Sequence, residues 1–199
     1  MTAGLSVGQG VERSVGQTVG RLEARRAAFA DLLDGLDPDV VHAAPAPGAW
    51  SLAQLAEHFL LIDGGLVADG PPASAPVAAT SRLRSRALQA VLALPLRIPA
   101  PPAARGVMPS AGARWPDVGA RWAALRAGWW SLPANPLAGP GHVAYRHPIF
   151  GPFLIPDALA FLEAHHRHHD RQIRRTLGKV ESEKAARAAT ISAGQAMTG

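Results

Sequence analysis

The chain of 199 residues has no cysteine. That excludes disulfides, a cysteine nucleophile and a zinc–thiolate structural site, and it fits a reducing compartment. No apolar stretch approaches the roughly 20 residues that a membrane span needs. The opening Met1-Thr2-Ala3-Gly4-Leu5 has no basic region leading into an apolar one, so no signal peptide is expected. A cytoplasmic location without membrane attachment follows as the expectation. Lysine is almost missing, with only Lys179 and Lys184, although Lys and Arg together number 20 and the net charge is +5. The arginines are spread along the chain rather than striped with aromatics, so a solvated basic surface is favoured over nucleic-acid binding. There is little strand signal and no internal repeat. A Ser-His-Asp arrangement, a phosphate-cradling glycine loop and an HExxH zincin motif are also absent.

What is present is helical periodicity and histidine. Hydrophobic residues make up 48%, enough for one packed domain. Four segments carry apolar residues at three- and four-residue steps. The first spans Val11 to Leu36 and ends at Asp37-Pro38. The second starts at Ser51, where Ser51 and Gln54 form a capping box, and carries Leu55, Phe59, Ile62 and Leu66. The third opens at Pro116-Asp117, with Val118, Trp122, Leu125 and Trp129 on its buried face. The fourth opens at Pro156-Asp157 and stops at Gly178, a good residue to follow a helix. Between the second and third, from Gly70 to Arg114, prolines break the pattern, although Ser81 to Leu94 is compatible with a short helix. The expected fold is therefore all-α, a four-helix bundle with a long, proline-rich crossover between helices 2 and 3. Residues 1–10 are expected to be a flexible N-terminus, 11–180 the bundle domain, and 181–199 a frayed or disordered tail.

Eight histidines occur, four of them in His165-His166-Arg167-His168-His169 on the fourth helix. Imidazole is the commonest protein ligand for divalent transition metals. His165 and His169, at i and i+4, place two rings over one spot, and His166 with His169, at i and i+3, is the competing pair. His58 lies at the edge of the apolar stripe of the second helix and supplies a third, core-side imidazole. A shared ion would satisfy one nitrogen of each ring; the bland alternative is a solvated His/Arg-rich helix surface. His168 is expected to face solvent. Glu57 and Asp63 are either acceptors orienting a ligand ring or ordinary surface carboxylates, and Glu57 projects away from the apolar face. Trp50, Trp115, Trp122, Trp129 and Trp130 are expected to pack the bundle. Arg121 and Arg126 are expected to be solvated rather than to reach an anionic substrate. His147 is expected in a turn, and His42 and His142 carry no spacing signal.

Trp50-Ser51 followed by Glu57-His58, then His147-Pro148-Ile149-Phe150-Gly151, then His165-x-x-x-His169-x-x-Gln172-Ile173, resembles the DinB-like superfamily of bacterial four-helix bundles, over Val11 to Gly178. The resemblance implies a histidine triad, His58, His165 and His169, holding one divalent metal (nickel, zinc or iron) with other positions open to water or substrate. It also implies a small-molecule substrate and, for some members, transferase or hydrolase chemistry with a low-molecular-weight thiol of the mycothiol or bacillithiol type. The long crossover and the extra His166 and His168 depart from the pattern and leave the ligand choice open. The alternative is a non-catalytic, metal-stabilised bundle serving as a binding or stress-response protein. A homodimer is the commonest assembly, and nothing else in the sequence bears on oligomeric state.

Overall fold

The computed structural model describes residues 3–66, 74–94, 102–131 and 141–196. The chain is mostly helical with a small two-stranded sheet. Among the described residues the order is α1 (Ala3–Asp34), α2 (Pro38–His42), α3 (Leu52–Asp63), α4 (Ala75–Ala93), a 3-10 turn (Pro102–Val107), α5 (Trp115–Ser131), β1 (Val143–His147), β2 (Gly151–Leu154) and α6 (Ile155–Ala196).

Local chemistry sets the helix starts. Ser51 Oγ accepts from the Gln54 amide at 3.2 Å while the Ser51 amide donates to Gln54 Oε1 at 3.0 Å, so the expected capping box is formed. Asp37 accepts from the Asp39 amide and, with Pro38 in the first helical position, opens α2 instead of merely ending α1. The start of α5 is held from outside: His42 Nδ1 donates to the Pro38 carbonyl, leaving Nε2 to accept from the Trp115 amide at 3.2 Å.

Two apolar clusters make the core, and α1 feeds both. Val15, Val19 and Leu22 pack with Ile62, Phe153, Leu159 and Leu162. Further along, Phe29 and Leu33 pack with Leu52, Leu55, Phe59, Val118 and Trp122. Each such side chain contributes about 1.5–3 kcal/mol on burial, and Phe29 meets both Phe59 and Trp122 edge-on. Helix α1 contacts α5 and α6, as does α3, while α4 lies against α6 and β2. Trp115 and Trp122 are buried packing residues as expected; the side chains of Arg126, Trp129 and Trp130 lie outside the described residues, as do residues 67–73 and 95–101 of the crossover.

The structure corrects the sequence reading in four places. The expectation of little strand missed the hairpin, in which β1 and β2 pair antiparallel with His147 opposite Gly151. A register shift between Val143 and Tyr145 buries three consecutive residues of β1, which erases the alternation by which a strand is recognised. Gly151, at φ 75°, supplies the left-handed residue that closes the turn. Helix α1 starts at Ala3, ahead of the expected Val11; no proline interrupts it. Helix α4 is longer than the expected 81–94, because Pro76 sits in its first turn, where a missing N–H costs nothing. Finally, α6 runs through Gly178 to Ala196. One glycine costs a helix only about 1 kcal/mol, and the following Lys179-Val180-Glu181-Ser182-Glu183-Lys184-Ala185 stretch consists largely of good helix formers. Residues 181–191 are exposed, so that extension touches little else.

Candidate metal centre

Helices α3 and α6 lie against each other, and their facing surfaces bring together three imidazoles from distant parts of the sequence. His58 on α3 and His165 and His169 on α6 are 6%, 7% and 8% exposed. His58 Nε2 stands 3.3 Å from His165 Nε2, and His169 Nε2 stands 3.2 Å from the same atom. One ligand atom from each of the three lies within 4.8 Å of the others, so the trio could hold a metal ion.

The hydrogen bonds on the far side of the rings fix where the protons are. His58 Nδ1 donates to the Val107 carbonyl at 2.7 Å, and His169 Nδ1 donates to Gln172 Oε1 at 2.8 Å. A neutral imidazole protonated on Nδ1 has a bare lone pair on Nε2. Two such lone pairs therefore point at His165 Nε2, which has a single position to offer and can donate to only one of them. The other nitrogen of His165, Nδ1, is buried without a partner. Burial lowers the pKa of all three rings: His169 falls to about 3, His58 is lowered, and His165 falls well below the ordinary histidine value. All three are neutral at physiological pH, the form that binds metals.

The donor set fits a divalent ion. Bonds of about 2.0–2.1 Å in a tetrahedral arrangement place two imidazole nitrogens about 3.3–3.4 Å apart, and the two close pairs here are at 3.3 and 3.2 Å. A cation would take up the lone pairs that no available proton can satisfy.

The competing ligand His166 points elsewhere. Its ring lies on Phe59 and its Nε2 meets both carboxylate oxygens of Asp63 at 3.2 Å. Asp63 is fully buried and also accepts from Arg26 Nε at 2.8 Å; Arg26, itself 2% exposed, pairs with Glu23 as well. Burial by itself would raise the Asp63 carboxyl, but His166 and Arg26 together hold it below its ordinary value. Asp63 thus orients His166 rather than a ring of the triad. The sequence pattern did not disclose this network, because Arg26 and Glu23 look like ordinary charges on a long helix.

Two other expectations need correction. Glu57 is buried, and its Oε2 accepts from the Ser110 amide at 2.6 Å and the Ser110 hydroxyl at 2.9 Å, tying α3 to the segment before α5. The segment folding over it was not visible in the sequence. His168 is half-buried, with Nδ1 donating to the Leu92 carbonyl near the end of α4. Trp50 packs against the His58 ring, with centroids 4.8 Å apart and planes tilted by 49°. Arg121 is exposed as expected, 3.5 Å from Glu57. His147 closes β1, and its Nδ1 accepts from the Ile149 and Phe150 amides, so it organises the turn in which it was expected.

Two groups that hold the triad were beyond sequence reasoning or only half seen. The Val107 carbonyl is a backbone atom, which carries no residue-type signal. Gln172 is visible in the spacing after His169, though its bond to the ring is not.

No helix among the described residues is long and apolar enough to cross a membrane. The family model described as the DinB superfamily matches residues 21–173. No curated protein and no solved structure match.

Proposed function

The chain belongs to the DinB superfamily, and on that premise we propose that His58, His165 and His169 hold one divalent transition ion, nickel, zinc or iron, in a metal-dependent enzyme acting on a small molecule. The observation that carries the metal reading is the convergence of two proton-free Nε2 atoms on a third at 3.2–3.3 Å inside a buried cluster. Three protein ligands leave positions free. A bound ion supplies Lewis acidity there, lowering the pKa of a coordinated water or thiol. The residues around the ion do the positioning: Val107 and Gln172 fix two ring tautomers, and Trp50 covers the His58 ring. Group transfer using a low-molecular-weight thiol, or hydrolysis, is the chemistry this arrangement would serve, with a cytoplasmic location and a small-molecule substrate. In this reading α1, α3, α5 and α6 form the four-helix bundle, and the proline-rich stretch containing α4 and the 3-10 turn is its crossover.

Elemental analysis of untagged native protein tests the proposal. About one nickel, zinc or iron per chain is expected, falling to background in His58→Ala, with thiol-dependent consumption of an electrophile by the loaded protein only. Native protein free of all three metals, with His58→Ala unchanged in metal content and melting temperature, would refute the site. Metal that raises the melting temperature without any thiol-dependent turnover would favour a non-catalytic binding protein.

A further inference from the structure

A chamber of about 400 Å³ opens between α3, the 3-10 turn and β1. Leu61, Ala103, Val107, Val143 and Pro148 give it apolar walls, and two polar residues, Tyr145 and Arg146, also line it. Tyr145 is only 4% exposed, yet its hydroxyl engages no described residue. The ring is seated there by Gly65: a Cβ at that position would stand 2.9 Å from Tyr145 Cε2, so any larger residue would push the ring aside. Burial raises the phenol to about 12, so it stays a neutral O–H donor at neutral pH. Arg146 is exposed and pairs with no carboxylate among the described residues. A hydroxyl that lines a chamber and engages no described residue is available to donate to a ligand there.

We infer that this chamber binds a small monocarboxylate with an apolar body, its carboxylate held between the Arg146 guanidinium and the Tyr145 hydroxyl. One guanidinium matches one negative charge, and among the described residues no second cationic side chain lines the chamber. The apolar walls suit a hydrocarbon or aromatic body, and the volume lies in the usual range for small-ligand sites. The inference goes beyond the metal reading and does not depend on it. The two sites adjoin, because Val107 lines the chamber while its carbonyl holds His58.

Calorimetric titration of phenylacetate and butyrate into the full chain, both metal-stripped and zinc-loaded, tests this. Saturable binding is expected in both forms, with phenylacetamide, which lacks the charge, weaker by about tenfold. Arg146→Ala should weaken phenylacetate by about tenfold and Tyr145→Phe by about threefold to tenfold, neither lowering the melting temperature. Ala104→Trp, which fills the chamber, should abolish binding. Absence of saturable binding by both carboxylates overturns the inference, as does equal affinity for the amide or indifference to Arg146→Ala. Binding seen only with zinc and insensitive to Arg146→Ala would place the anion on the metal, which also overturns it while leaving the metal reading intact.

Discussion

The His166 ring lies flat on Phe59, centroids 4.2 Å apart and planes within 10° of parallel, and this contact separates His166 from its neighbour His165. Adjacent residues on a helix point about 100° apart, so one of the two joins the triad while the other turns into the core. There it meets Asp63 and, through Asp63, Arg26.

That separation predicts a clean division of effects. His166→Ala should cost about 1–3 kcal/mol of stability through the lost Asp63 bond and ring contact, with metal content unchanged. Asp63→Ala leaves Arg26 buried without its carboxylate and should cost about 3–5 kcal/mol. Chemical denaturation alongside elemental analysis checks both, and loss of metal from folded His166→Ala would show that His166 is a ligand.

Gln172 touches the triad only through His169 Nδ1. Gln172→Ala should lower metal affinity by about 10–100-fold without unfolding the protein, and Gln172→Glu, which restores an acceptor, should recover most of it. Competition against a chelator of known affinity measures the change. Equal affinity in all three proteins would mean that the ring needs no outside support.

The pH dependence has a definite sign. His58, His165, His169 and His147 all have folded-state values below that of the unfolded chain, near 6.5, with His169 at about 3 and His147 at about 4, burial being the first cause in each. Below pH 6.5 the unfolded chain takes up protons that the folded chain refuses, so stability falls as pH drops from 6.5 toward 3. Above 6.5 these groups add no slope. Denaturant midpoints of metal-stripped protein between pH 8 and 4 should be flat and then fall; a midpoint that rises on acidification would contradict buried neutral imidazoles.

The exposed end of α6 is predicted to be dispensable. Its one ion pair to the body among the described residues, Lys184 to Asp37, is exposed on both sides and contributes little. A chain ending after Val180 should keep its melting temperature and its metal. A large loss of either would show that the extension has a partner surface.

The four strongest periodic segments were readable because a helix writes its buried face at intervals of three and four residues, and the ends marked by Ser51, Pro116 and Pro156 carry capping chemistry in the residue names. The candidate site was readable for a related reason: His165 and His169 are fixed relative to each other by helix geometry, and His58 lies on the core side of its own helix. The remainder depends on contacts distant in sequence. Glu57 looks exposed until Ser110 folds over it, and His168 looks solvated until the end of α4 reaches it. The choice of His165 over His166 needs the position of Asp63. The hairpin was hidden for a local reason, since its bulge removes the alternation that would have marked β1.

Helix α6 begins at residue 155, and α1, α2, α3, α4 and both strands all lie against it. On the ribosome, the elements that precede α6 therefore emerge before the one that unites them. During that interval His58 has no imidazole opposite it, so the single late-arriving segment that closes the core also supplies two of the three clustered nitrogens together.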